Sequence, residues 1–321
     1  MTDQSKIDRN SAKPASLLER ADNVFGLNKL GPSKVPGNLP PAKTRPTVAL
    51  PQEEAGPIRY EPPVETKAET AAPRLPAVEL CGPMQRIDRE LLRENGLIMP
   101  EDPVSALLEE FRIVKRELIA DARSSNAAKA RSILVSSPHQ GDGKTYCTIN
   151  LAIALAAERD VEVLLVDADV MRPSIARRLG IEAEAGLMDA IADPEVQPES
   201  LACRTDIPGL FVLPAGATGS NDSEYLASAQ TKAVIERLTR GAPHRYVIFD
   251  TPPALAASPA ADLAKYVGQA VLVARADVTG RAALDDARQL LSACPDLKMI
   301  LNATYFSTSG RRFGNYGDRG L

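Results

Sequence analysis

Between residues 133 and 301 the chain contains six short runs that are almost continuously apolar: Ile133-Leu134-Val135, Val161 to Val166, Leu210 to Leu213, Tyr246 to Phe249, Ala270 to Ala274 and Met299 to Leu301. Runs of this length, rich in β-branched residues, predict strands buried on both faces. Between them, residues 144–158, 223–240 and 280–293 place apolar side chains at helical spacing. The alternation predicts an α/β fold whose mostly parallel central sheet is covered by helices on both faces. One more helix is predicted over 103–122, opened by Pro103, with Ala106, Leu107, Phe111, Val114, Leu118 and Ile119 on one face. Glu109, Glu110, Arg112, Lys115 and Arg116 are expected on its other face.

Outside these limits the periodicity fails. Ser16 to Phe25 has a serine cap and apolar residues at helical spacing, which predicts a short helix near 16–27. Gly31 to Pro83 is a Pro-, Ala- and Glu-rich tract, and thirteen of the 26 prolines fall between Pro14 and Pro83. Too little apolar surface is present there to offset the entropy of ordering, so residues 1–86 are expected to be a disordered, Pro-rich N-terminal region ahead of a domain spanning 87–302. Residues 303–321 are rich in Ser, Gly and Arg and read as a flexible tail carrying Tyr305 and Tyr316.

Composition removes several classes of function. The formal net charge is -4, and residues 1–98 balance 14 Lys/Arg against 13 Asp/Glu, which argues against a nucleic-acid partner. No stretch approaches the roughly 18 to 20 apolar residues of a membrane-spanning helix, and the polar start lacks the apolar core of a secretory signal. Cys81, Cys147, Cys203 and Cys294 are scattered, without a CxxC pair, so neither a zinc site nor a disulfide framework is indicated.

Chemistry is concentrated where the first apolar run ends. Ser136-Ser137-Pro138-His139-Gln140-Gly141-Asp142-Gly143-Lys144-Thr145 lies between a predicted strand and a predicted helix, the setting of a P-loop. Its glycines let backbone N–H groups face phosphates, the helix N-terminus adds positive potential, Lys144 reaches the terminal phosphates and the Thr145 hydroxyl suits Mg²⁺. Pro138 stands where the usual GxxxxGK[ST] pattern has its first glycine. Asp167-Ala168-Asp169 with Arg172 follows the second run, and Asp250-Thr251-Pro252-Pro253 follows another. Three carboxylates at strand ends beside a P-loop point to Mg²⁺ and a transferable phosphate, since a hard cation takes oxygen ligands and phosphoryl transfer needs charge compensation.

These segments, with Gly186-Leu187-Met188-Asp189, Leu213-Pro214-Ala215-Gly216 and Ser223-Glu224-Tyr225-Leu226, resemble the bacterial tyrosine kinases of exopolysaccharide and capsule synthesis, and most closely their exosortase-associated cytoplasmic autokinases. The family is a branch of the P-loop NTPases related to ParA and MinD. Partitioning ATPases of that group carry a lysine where this chain has His139. The resemblance implies that Gly141, Asp142, Gly143, Lys144, Thr145, Tyr146, Arg172 and Asn302 bind ATP, with Asn302 at the position that contacts adenine. It implies that Thr145, Asp169 and Asp250 hold Mg²⁺, that Lys144, Asp167, Asp169 and Asp250 carry catalysis, and that Asp167 takes the tyrosine proton. Glu109, Arg112 and Lys115, followed by Arg116, are similar to the family's ExxRxxR oligomerisation motif, with lysine at the last position, which implies a homo-oligomeric ring. Tyr316, and less favourably Tyr305, are the expected phospho-acceptors. The family also implies a cytoplasmic protein, held at the inner face of the plasma membrane by a membrane-embedded polysaccharide chain-length partner. The alternative is an ATP-driven oligomerisation switch, or a ParA/MinD-like ATPase, that regulates the polysaccharide machinery without significant kinase activity.

Overall fold

In a computed structural model the described residues are 77–304, apart from 104, 126, 218, 220 and 221. The helix expected near 16–27 and the tyrosines Tyr305 and Tyr316 lie outside them. In chain order the elements are β1 (Met84–Gln85), α1 (Arg89–Glu94), α2 (Ala106–Ser125), a 3₁₀ turn (Ala128–Arg131), β2 (Ser132–Ser136), α3 (Lys144–Ala156), β3 (Glu162–Asp167), α4 (Ile175–Leu179), α5 (Leu187–Ala192), α6 (Pro198–Leu201), β4 (Cys203–Thr205), β5 (Leu210–Leu213), α7 (Asp222–Leu226), α8 (Ala229–Thr239), β6 (Arg245–Asp250), α9 (Pro259–Ala264), β7 (Gln269–Arg275), α10 (Arg281–Leu290) and β8 (Leu297–Asn302). Each of the six apolar runs is a strand, within two residues of its expected limits.

The strands form one sheet in the order β1-β4-β5-β3-β6-β2-β7-β8, parallel throughout except for β4 against β5. Successive side chains of a strand point to opposite faces, and the central strands serve two cores at once. In β2, Ile133 and Val135 join α2 and α3 on one face, while Leu134 joins α5, α8 and α9 on the other. The 223–240 helix is interrupted. Ser228 adopts an extended conformation between α7 and α8, and the Thr231 hydroxyl donates to the Tyr225 carbonyl across the break.

The helix expected over 103–122 runs instead over Ala106–Ser125. Ser105, rather than the Pro103 region, sets its start, because its hydroxyl accepts from the Leu108 N–H at 3.2 Å. Lys115 was expected on the exposed face of this helix; the structure buries it against α3. Its ammonium donates to the Ala154 carbonyl at 2.9 Å and pairs with Glu158 at 2.9 Å. That ion pair and hydrogen bond hold the Glu158 carboxyl below its usual range. Arg116 is exposed, and Arg112 pairs with Glu109 on its own helix. Lys115→Ala is therefore expected to destabilise the fold by about 1–3 kcal/mol, by leaving the Ala154 carbonyl without its partner, while Arg116→Ala leaves stability within about 0.5 kcal/mol. Urea denaturation of the two variants checks this.

The boundary at residue 86 also moves. Residues 77–85 are held on the sheet edge: β1 pairs with β4, Cys81 N–H donates to the Glu199 carbonyl at 3.0 Å, and Arg245 donates to the Val78 carbonyl at 2.6 Å. No strand could be read there, because two residues carry no periodicity. What the topology accomplishes for function is local. β3, β6 and β2 are neighbours, so the loop after β2 and the aspartates ending β3 and β6 meet at the carboxyl ends of the central strands, where ligands of open α/β sheets bind.

Candidate active site

The loop from Ser137 to Gly143 turns directly into α3. Gly141 and Gly143 have φ of +89° and +98°, values that strain any side-chain-bearing residue. Among the described hydrogen bonds none is donated by a backbone N–H of residues 140–146, and Gln140, Gly141, Gly143, Lys144, Thr145 and Tyr146 line an opening at the helix N-terminus. The loop itself is braced from behind. The buried Asp142 carboxylate accepts from the His139 N–H and from the Thr279 hydroxyl, both at 2.8 Å. The Asn302 amide donates to the Asp142 carbonyl at 3.0 Å, and Arg275 donates to the Gly141 carbonyl at 3.2 Å. The Asp142 side chain thus serves the loop's shape.

Lys144, Thr145, Asp169 and Asp250 converge. Lys144 Nζ lies 2.6 Å from Asp169 and 3.5 Å from Asp250, and the Thr145 hydroxyl donates to Asp250 at 2.6 Å. Thr148, one helical turn after Lys144, donates to the other Asp250 oxygen at 3.0 Å. Burial acts to lower the Lys144 ammonium, but the attraction of Asp250 and Asp169 outweighs it and its pKa is raised. Asp167 and Asp250 end adjacent parallel strands in register. Asp167 accepts from the N–H groups of Ser174 and Ile175 at 2.8 and 2.9 Å, tying the Asp169–Arg172 turn to the start of α4. Burial first, and the Asp250 charge second, push the Asp167 carboxyl up to about 7; burial also raises Asp250, against the pull of Lys144, Thr145 and Thr148.

This pair has a consequence for pH. A carboxyl raised from 3.8 to about 7 keeps its proton in the folded chain while the unfolded chain has lost it. Stability from Asp167 is therefore full below pH 4 and falls as pH rises to 7, by roughly 4 kcal/mol across the whole window. Urea denaturation without nucleotide is expected to show lower stability at pH 8 than at pH 5, and a flat profile would contradict the buried pair.

The donor set fits Mg²⁺. Thr145, Asp169 and Asp250 offer only hard oxygen donors, gathered around the Lys144 ammonium. Among the described residues no three acidic, His or Cys side chains converge to hold a metal alone. The protein would thus supply Thr145, Asp169 and Asp250 while phosphate oxygens complete the shell, the usual division for Mg²⁺ with a nucleotide.

Two openings flank the loop. One, of about 480 Å³, is lined by Lys144, Thr145, Asp169, Arg172 and also by Arg177 and Arg178, which sequence reasoning did not identify. The other, also about 480 Å³, lies between Phe111, Val114, Tyr146, Leu301 and Asn302. Tyr146 lines both. Arg275 and Thr279 were missed as well, because a strand-end arginine and a turn threonine carry no motif of their own. The Gly186–Asp189 and Leu213–Gly216 segments lie against each other: Asp189 accepts from the Gly186 and Ala217 N–H groups, and a Cβ on Gly186 would meet the Pro214 carbonyl at 2.1 Å.

A glycine-rich loop opening a helix, two strand-end aspartates and a parallel sheet define a P-loop nucleotide-binding protein. The ParA family model, described as NUBPL iron-transfer P-loop NTPase, matches residues 129–299, just over half the chain, and the chain belongs to this ParA-type P-loop NTPase family. Curated proteins that it resembles include tyrosine-protein kinases. Over 150 residues it is 32% identical to the tyrosine-protein kinase ptk of Acinetobacter johnsonii, covering 47% of this chain and 20% of that protein. It is 26% identical to the tyrosine-protein kinase YwqD of Bacillus subtilis (strain 168), covering 73% of this chain and 96% of that protein. The chain thus spans a fifth of the first relative's length and nearly all of the second's. The kinase domain of Escherichia coli tyrosine kinase ETK has the same fold, with a TM-score of 0.56 at 22% identity over 71% of this chain and 90% of that one.

Proposed function

We propose that the chain is an ATP-dependent protein tyrosine autokinase that regulates exopolysaccharide or capsule production. The observation that carries this reading is the convergence of Lys144, Thr145, Asp169 and Asp250 beneath the open loop N–H groups. The ATP phosphates lie along residues 140–146, and the base enters the opening beside Tyr146, where the Asn302 Oδ1 is left as an acceptor. Mg²⁺, when bound, neutralises charge on the phosphates. The tyrosine oxygen forms a bond to the γ-phosphorus as the bond to the β-phosphate oxygen breaks, ADP departs and the phenolic proton passes to Asp167. A carboxyl raised toward neutrality is a serviceable acceptor, and most of the acceleration comes from positioning and charge compensation. Arg172 steadies the phosphate or the incoming acceptor.

Tyr316, with Tyr305 second, is the proposed acceptor, presented in trans within a homo-oligomer built on Glu109, Arg112 and Arg116. The buried Lys115 supports that helix rather than the contact. No helix among the described residues is long and apolar enough to cross a membrane, and we place the protein on the cytoplasmic face of the plasma membrane through a membrane-embedded chain-length partner. The sparse tail tyrosines favour a second reading, an ATP-driven oligomerisation switch regulating the same machinery. One assay separates them: the chain is incubated with Mg²⁺-ATP, with and without the partner's cytoplasmic segment, and probed for phosphotyrosine. The double variant Tyr305→Phe/Tyr316→Phe is expected to lose at least nine tenths of the signal. Nucleotide binding with no phosphotyrosine under either condition would leave the switch.

A further inference from the structure

At the end of the sheet opposite the P-loop lies another opening, of about 790 Å³, between the 128–131 turn, α8, the loop leading into β6 and the residues after α9. Its size falls within the range of small-molecule sites. The wall includes Ile235, Pro243 and the half-buried ring of Tyr266, and its mouth carries Lys129, Arg131 and Arg240. Among the described residues none of these three cations has a carboxylate within ion-pair distance. The other two lysines of the lining are already matched, Lys232 with Glu236 at 3.7 Å and Lys265 with Asp262 at 2.8 Å. Glu236 is the one acidic residue lining the cavity. Arg131 also borders a smaller opening whose lining carries Arg123 and Arg159 against the single carboxylate of Asp160.

The walls are fixed by buried contacts. Arg245, 2% exposed, donates to the Leu238 carbonyl at 2.8 Å and to the Val78 carbonyl at 2.6 Å, and pairs with Glu162, which holds the end of α8 against β6. Gly268 lets the start of β7 press on the basic turn: a Cβ there would meet Ala130 Cα and the Lys129 carbonyl, both at 2.6 Å. The 268 N–H donates to the Ser132 carbonyl at 3.1 Å. A rigid, largely apolar hollow with an aromatic ring and three cations held in no ion pair among the described residues, though Arg240 also acts on Glu199, suits a ligand with a planar body and two or three negative charges. Guanidinium groups bind phosphate oxygens in a fork, and a tyrosine ring accepts a stacked base.

We propose that this cavity binds a soluble phosphate ester of the nucleoside diphosphate type, at a site separate from the P-loop. Isothermal titration of the full chain with uridine diphosphate tests it, comparing the parent chain, Lys144→Met and the triple variant Lys129→Ala/Arg131→Ala/Arg240→Ala. Binding is expected to persist in Lys144→Met and to weaken at least tenfold in the triple variant. The single Arg240→Ala change, on an exposed loop, should weaken it at least threefold, which keeps the test open if the triple variant fails to fold. Three results would overturn the proposal: no binding by the parent chain, binding lost in Lys144→Met but kept in the triple variant, or cation-dependent binding only to vesicles containing phosphatidylglycerol.

Discussion

Lys144→Met is expected to slow phosphotyrosine formation by about 10²–10³-fold, the cost of removing one fixed electrostatic donor from a phosphoryl-transfer site. The reason lies in what the ammonium faces. Before nucleotide arrives it is, among the described residues, the cation paired with Asp169 and Asp250, at 2.6 and 3.5 Å, and its side chain is 11% exposed. When ATP occupies the loop, the same charge is close enough to turn to the terminal phosphates. Methionine keeps the length and apolar stem but supplies no charge in either state. A second effect follows in the nucleotide-free protein. Asp167 and Asp250 are already raised by burial, and Lys144 is among the groups that hold them down. Without it the folded chain takes up protons more readily, so its stability should fall more steeply than the parent's between pH 5 and 8. Phosphotyrosine rates at saturating ATP, with urea denaturation at the two pH values, read the two effects separately. A rate within threefold of the parent's would remove Lys144 from the reaction.

The sequence was informative where burial is two-sided. β2, β3 and β6 have no room for polar residues over their central positions, so their apolar runs mark them, and the polar residues that follow lead into the loop after Ser136 or, at Asp167 and Asp250, belong to the site. The convergence of these ends follows from strand order, which periodicity does not encode, but the motif spacing anticipated it. Side chains whose direction depends on packing were misread. Lys115 belongs to a charged stretch of α2, yet its long stem crosses to α3 and finds the Ala154 carbonyl. β1 and β4 are too short to show alternation, and the latter's antiparallel pairing with β5 comes from the chain turning back on itself at 206–209. The bracing of the P-loop by Thr279, Arg275 and Asn302 depends on contacts more than 130 residues apart in the chain. Nothing local to those residues signals it.

The same bracing makes the two loop glycines unequal, and Gly143→Ala is expected to weaken ATP binding about a hundredfold while Gly141→Ala weakens it about tenfold. Both residues have positive φ, so alanine at either imposes a strain of about 1–3 kcal/mol. They differ in what surrounds them. A Cβ on Gly141 meets nothing within 4 Å, whereas one on Gly143 lies 2.0 Å from the Asn302 amide nitrogen. That amide is the donor to the Asp142 carbonyl, so alanine at 143 must expel Asn302 and release the loop from β8. Asn302→Ala alone loses that hydrogen bond and the Oδ1 acceptor beside the base, about 1 kcal/mol each, and should weaken binding about tenfold. The double variant Gly143→Ala/Asn302→Ala then separates strain from contact, because the clash disappears while the strained backbone remains. Its affinity should match that of Gly143→Ala, because the Asn302 contact is lost only once, a departure from additivity of at least 1 kcal/mol measured by titration with a fluorescent ATP analogue. Strict additivity would mean that backbone strain alone governs position 143 and that Asn302 does not hold the loop.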